Sequence, residues 1–174
     1  MMKVLISEEQ IRKRIGELAE EIRSDYEGKR PLFIGVLKGS FVFLGDLIRE
    51  MDIDLEVDFM STSSYGDATT TSGVVRLTKD LDVAIEGRDV IIVEDIVDTG
   101  LTLRYLCNLL RQRLPSSLAV CTLLDKSARR EVDVQIDYCG FDIEDGFVVG
   151  YGIDYAQNYR QLPLIAIIEE EEHE

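Results

Sequence analysis

Residues 90–103 read VIIVEDIVDTGLTL, and the rest of the chain is best understood outward from this stretch. Val90, Ile91, Ile92 and Val93 form an unbroken apolar run, which predicts a central parallel strand covered on both faces. The run opens into two carboxylates, Glu94 and Asp95, and a third follows at Asp98. Thr99-Gly100 and a hydroxyl at Thr102 then lead into a helix over about 101–113, stopped by Pro115. In open α/β sheets ligands gather beyond the carboxyl ends of the strands. Amides at a helix start attract phosphate, the Thr99 and Thr102 hydroxyls add donors, and Gly100 allows close backbone approach. A phosphate cradle therefore lies beside an acidic cluster. Bare acids would repel phosphate, so they suit sugar hydroxyls or a cation. The same residues also fit a simple strand-to-helix turn capped by Asp98 or Thr99. No lysine follows the glycine as in a P-loop.

On either side the pattern alternates between β-like runs and amphipathic stretches, which predicts an α/β fold with a central, mostly parallel sheet flanked by helices. Ser7 and Gln10 form a capping-box start, and Ile11, Ile15, Leu18 and Ile22 recur at helical spacing. Leu32 to Leu37 reads as a buried strand running into Lys38-Gly39-Ser40, and Phe41 to Met51 as the next helix. Strands are expected around 55–59, 74–78, 118–124, 134–138, 147–149 and 164–168. Residues 61–73 are Ser, Thr and Gly with one Tyr and hardly an apolar anchor, which predicts a mobile lid loop. The acidic tail at 169–174 reads as solvated, and with no linker or repeat the chain 1–174 is expected to be one domain.

The bulk numbers remove whole classes of chemistry. His173 is the only histidine, so Ser-His-Asp, Cys-His and His-metal schemes are excluded. Cys107, Cys121 and Cys139 have no CxxC spacing and read as buried free thiols. A net charge of −15 argues against a nucleic-acid partner, which needs a basic face. The apolar runs are too short to cross a membrane, and no basic-then-apolar leader opens the sequence, so the expected location is the cytoplasm.

The segment 90–103 resembles the phosphoribosyl-pyrophosphate signature of type I phosphoribosyltransferases, and Asp98 within it is similar to the hypoxanthine-guanine branch. The resemblance covers nearly the whole chain. Leu37-Lys38-Gly39-Ser40 looks like the family's pyrophosphate loop, and Ser64-Tyr65 like its catalytic lid. Leu124-Asp125-Lys126 matches the position of its purine-reading lysine. Residues 147–155, FVVGYGIDY, with Arg160 resemble its C-terminal hood. One departure is Leu101, where some members carry lysine; only its backbone is expected to meet phosphate.

This resemblance implies a type I phosphoribosyltransferase fold with a small hood and a purine-salvage reaction. 5-Phosphoribosyl would pass from phosphoribosyl pyrophosphate to hypoxanthine or guanine, giving IMP or GMP and pyrophosphate. It implies Mg²⁺ as cofactor, with Glu94 and Asp95 gripping the ribose hydroxyls directly or through the ion, and Asp154 holding a second Mg²⁺ on the pyrophosphate. Asp98, Thr99, Gly100, Leu101 and Thr102 would complete the phosphate and ribose site. Lys38, Gly39, Arg160, Ser64 and Tyr65 would hold pyrophosphate; a non-proline cis peptide is conceivable at the Lys38-Gly39 turn. Asp98 would be the acid-base group at purine N7. Ile96, Lys126, Phe147, Val148 and Asp154 would surround the base, with Lys126 on O6 and Phe147 stacking. A homodimer or homotetramer is implied. The alternatives are a phosphoribosyltransferase for another base such as xanthine or uracil, and a non-catalytic regulator of the same fold.

Overall fold

The computed structural model describes residues 1–64 and 75–169. Its larger sheet has six strands in the order β4-β3-β2-β5-β6-β7. The central strands are β2 (Leu32–Leu37), β5 (Asp89–Val97) and β6 (Ser117–Asp125). They run parallel with one another and with β3 (Glu56–Ser64) and β7 (Tyr138–Asp142). Only the edge strand β4 (Val75–Lys79) is antiparallel. A mostly parallel sheet flanked by helices is thus the observed architecture.

Strand β5 shows why it holds the centre. Ile91 and Val93 face one core together with Phe33 and Cys121, while Val90 and Ile92 face a second with Leu32, Ile34 and Val120. Both faces are covered, as an unbroken apolar run requires. The first core is closed by helix α1 (Glu8–Asp25), through Ile11, Ile15, Leu18 and Ile22, and by α2 (Phe41–Arg49), through Phe43, Leu44 and Leu47. The second is closed by α3 (Leu101–Arg111), through Leu103, Leu106 and Leu110. Helix α1 starts where the sequence places it: Ser7 Oγ accepts from the Gln10 N–H, and the Gln10 side chain accepts from the Ser7 N–H. Cys107 and Cys121 are buried, Cys139 is half-buried, and all three are free thiols.

A second, three-stranded sheet in the order β1-β9-β8 sits apart from the first. Strands β8 (Val148–Val149) and β9 (Ile165–Ile168) are the expected hood. Its third member, β1 (Met2–Ile6), pairs antiparallel with β9 and was not foreseen from sequence. Four of its five residues are exposed, so it lacks the alternation that betrays a strand. The expected strand at 134–138 is also displaced to Tyr138–Asp142. Val134 and Ile136 do alternate and pack on the α3 side, but ladder pairing with β6 begins only where Asp137 meets Val120. Alternation reports burial there and says nothing of hydrogen-bond partners. The lid expected at 61–73 is partly strand, since β3 runs on to Ser64; Tyr65 and the rest of that loop lie outside the described residues, as does most of the acidic tail.

Candidate active site

The carboxyl ends of β2, β5 and β6 are hydrogen-bonded neighbours, so the segments leaving them share one edge of the sheet. From β2 comes Lys38-Gly39, entered through a cis peptide bond at Leu37–Lys38, one bond before the turn suspected from sequence. From β5 comes the acidic segment. A Cβ at residue 39 would collide with the Asp95 carboxylate, so only glycine lets this loop lie against it. On its other side a Cβ at Gly152 would stand 2.5 Å from the Gly39 carbonyl oxygen. Acid, pyrophosphate-type loop and hood turn are therefore stacked in contact.

Glu94 and Asp95 are costly to bury as charges. Burial, and then the charge of Asp95, pushes the Glu94 carboxyl well above the usual carboxylate range. Burial pushes Asp95 up to about 6, against the Ile96 N–H at 2.8 Å and the charge of Arg160, with Asp154 adding to the rise. No described residue donates a side-chain hydrogen bond to Glu94, so a divalent cation or sugar hydroxyls would supply what the pair lacks. Among the described residues no three carboxylate, histidine or cysteine groups converge as a ligand set. A cage is not needed for Mg²⁺, which keeps waters and shares substrate oxygens. The donor set fits that ion.

Beyond the acids, α3 begins at Gly100, which sits at φ 87° in the left-handed region that glycine tolerates. No side chain caps the helix, so the turn-capping role open to Asp98 or Thr99 is not used. Thr99 Oγ1 accepts only a long contact from the Leu101 N–H at 3.4 Å. Beyond that long contact, the first-turn amides have no side-chain acceptor among the described residues. A small pocket of about 110 Å³ opens here, lined by Glu94, Ile96, Asp98, Thr99, Gly100 and Thr102.

Asp98 and Lys126 stand at the ends of adjacent strands, and the Lys126 N–H donates to the Val97 carbonyl at 2.9 Å. Lys126 is buried, and its Nζ donates to the Gly146 carbonyl at 2.7 Å, leaving ammonium donors over. That carbonyl immediately precedes Phe147, whose ring is half exposed and meets Tyr155 edge-on at 5.2 Å. Next to it, the Ile168 N–H donates to the Phe147 carbonyl. Phe147–Ile168 is then a hydrogen-bonded pair and Val148–Ile167 the alternate kind. Val148 sits in an edge strand, so its N–H and C=O point away from β9, and no described residue pairs with them. Two partners were missed from sequence. Arg129 lies 2.8 Å from Asp98 and also binds Asp145, while Arg130 pairs with Asp125 and donates to the Asp98 carbonyl. No spacing signals them, because a guanidinium finds its carboxylate through the path of the loop.

In the hood turn, Asp154 accepts from the Gln157 N–H and lies 3.3 Å from Arg160. Arg160 also donates to the Gly152 carbonyl and to Gln157. These contacts bring the Lys38-Gly39 loop, Asp95, the Asp154–Arg160 turn and the Asp98, Lys126 and Phe147 segments to the crease between the carboxyl edge of the large sheet and the hood. Of the lid pair, the Ser64 backbone ends β3 and Tyr65 lies outside the described residues. A larger pocket, about 430 Å³ between α1, α2 and the hood, is a different place that shares only Arg160 with the crease.

The family model for the phosphoribosyl transferase domain matches residues 5–156. The chain belongs to the phosphoribosyl transferase family. This phosphoribosyltransferase is 53% identical to a Bacillus subtilis protein named hypoxanthine-guanine phosphoribosyltransferase, over 95% of the chain and 92% of that protein. It is 50% identical to a Listeria monocytogenes bifunctional protein, TilS/HprT, of which it spans 26%. The crystal structure of a Bacillus anthracis hypoxanthine-guanine phosphoribosyltransferase superposes with a TM-score of 0.92 at 53% identity, covering 96% of this chain and 98% of that one. The fold is the type I phosphoribosyltransferase fold, and the chain is a glycosyltransferase of the pentosyl class. Among the described residues no helix is long and apolar enough to cross a membrane.

Proposed function

We propose that this enzyme transfers 5-phosphoribosyl from phosphoribosyl pyrophosphate to hypoxanthine or guanine, as its relatives' names indicate for them. One observation carries the reading: an acid and a buried lysine end adjacent strands of the large sheet, and that lysine is bonded to the hood loop that carries a half-exposed aromatic. Lys126 donates to the purine O6, which rejects adenine because its amine would face a donor with a donor. Phe147 covers the ring, Val148 offers peptide groups to the Watson–Crick edge, and Ile96 and Asp154 complete the surround.

As N9 attacks the anomeric carbon, the C1′–O bond breaks and pyrophosphate leaves with the electron pair. The purine then carries a surplus proton at N7, which Asp98 takes. Glu94 and Asp95 orient the ribose hydroxyls, and the Thr99–Thr102 amides and hydroxyls hold the 5′-phosphate. Arg160, the Lys38-Gly39 amides and the lid residues Ser64 and Tyr65 hold the leaving pyrophosphate. Mg²⁺ at Glu94 and Asp95, and a second Mg²⁺ at Asp154, would neutralise charge on the substrate's pyrophosphate. The chain 1–174 acts as one unit, in the cytoplasm, as a homodimer or homotetramer.

The deciding experiment is nucleotide formation from phosphoribosyl pyrophosphate with hypoxanthine, guanine, xanthine, adenine and uracil in parallel. Product from the first two is expected. Turnover confined to uracil or adenine would overturn the base assignment, and no product from any base would leave the regulator reading standing.

A further inference from the structure

Resting on the reading of Asp98 as the N7 proton acceptor, we propose that Arg129 is the positioning residue for that carboxylate. It holds one oxygen of Asp98 so that the other faces the purine, and it ties Asp98 to the hood loop that carries the stacking ring. Three observations converge. Arg129 Nε lies 2.8 Å from Asp98 Oδ1. That oxygen is fully covered and has no aligned hydrogen-bond donor among the described residues, while the Asp98 side chain as a whole is 43% exposed. The exposed part of the carboxyl is therefore its far side, with Oδ2, and a cation sits behind it without consuming its acceptor capacity through an aligned bond. The other end of the same guanidinium places Nη1 3.2 Å from both oxygens of Asp145.

Asp145 belongs to the base site by its neighbours. It accepts from the Gly146 N–H at 2.9 Å, the Gly146 carbonyl accepts from Lys126, and Phe147 follows. The Arg129 N–H in turn donates to the Lys126 carbonyl at 3.0 Å. A closed ring of contacts thus runs Arg129–Asp145–Gly146–Lys126 and back to Arg129, and Asp98 is attached to it through the Arg129 guanidinium. The other cation nearby, Arg130, is paired with Asp125 and meets only the Asp98 carbonyl, so it cannot replace Arg129 at the carboxylate. The planar fork of arginine can address two carboxylates at once, whereas an ammonium supplies charge without the bridge. Since Arg129 is 45% exposed, its worth to folding is small. Its effect belongs to the geometry of proton transfer.

The test is a double-mutant cycle of Arg129→Gln with Asp98→Asn, read as single-turnover nucleotide formation from hypoxanthine, with sugar-pyrophosphate affinity and melting temperature alongside. Arg129→Gln should slow the step roughly tenfold. That lies between the few-fold worth of an exposed ion pair and the hundredfold cost of a misplaced catalytic group. Sugar-pyrophosphate affinity should hold. In the Asp98→Asn background the same change should alter the rate by less than about twofold, because Arg129 acts through a carboxylate no longer there. Arg129→Lys, which keeps the charge, should recover part of the loss. Normal turnover in Arg129→Gln, or losses that multiply across the two sites, would overturn the positioning role while leaving a slow Asp98→Asn to stand for Asp98 itself. A fast Asp98→Asn would overturn both.

Discussion

At the scale of the residue, the site joins carboxylates with different tasks. Asp98 caps no helix, so Asp98→Asn should leave the melting temperature nearly unchanged. Its rate of nucleotide formation should fall by about 10²–10⁴-fold, the usual worth of a general base, and parental turnover would refute the role. Lys126→Met removes a buried ammonium whose charge-assisted bond to O6 should be worth about 1.5–3 kcal/mol of base affinity. Calorimetry should show weaker purine binding with sugar-pyrophosphate binding intact; equal loss of both would make the lysine structural. Asp95 behaves oppositely to a salt-bridged acid. Burial raises its folded pKa to about 6 from the ordinary aspartate value of 3.8, so its protonated form is the one the fold favours. Its contribution is fully present below the unfolded value and is lost as pH climbs through the window up to about 6. Asp95→Asn should therefore melt higher than the parent at pH 7.5 and gain little at acid pH, while turnover collapses. A gain equal at both pH values would count against a buried, strained charge.

Among the elements, the contact of the Lys38-Gly39 loop with Asp95 and the hood turn is the tightest constraint. Gly39→Ala has to push the loop off the Asp95 carboxylate. The variant should fold, with α1 and α3 intact by circular dichroism, yet bind sugar pyrophosphate at least tenfold more weakly, the scale of a misplaced anion-binding amide. Near-parental affinity would mean the loop is more adaptable than its packing implies. This contact also marks the limit of what can be read from residues. The acids, the helix after Gly100 and the capped start of α1 were legible because their causes are local: an apolar run, a turn, Ser7 with Gln10 three positions on. That Gly39 must be a glycine because Asp95 is there depends on a separation of 56 positions in sequence. Arg129 and strand β1 escaped for the same reason, since their partners lie on distant segments.

For the molecule as a whole, a net charge of −15 surrounds a site meant for a polyanion. The general field repels phosphoribosyl pyrophosphate, and in the proposed site short-range amides, Arg160 and Mg²⁺ would oppose it. Excess chelator should abolish activity and Mg²⁺ should restore it; full turnover in chelator would remove Glu94, Asp95 and Asp154 from metal duty. The hood sheet carries a subtler lesson. Val148 turns its peptide groups away from β9 because its pairing with Ile167 alternates with the hydrogen-bonded Phe147–Ile168 pair, and β9 is in turn held by Met2, Lys3 and Val4. Its side chain is buried on the other business of the core. On the proposed reading this edge is a discriminator made of main chain, inherited with the strand's route: exchanging Val148 for another small apolar residue alters no letter of it, and side-chain scanning is blind to it. Rewriting it would take a one-residue slip of the hood, which turns the same amide and carbonyl inward and silences that edge for every purine at once.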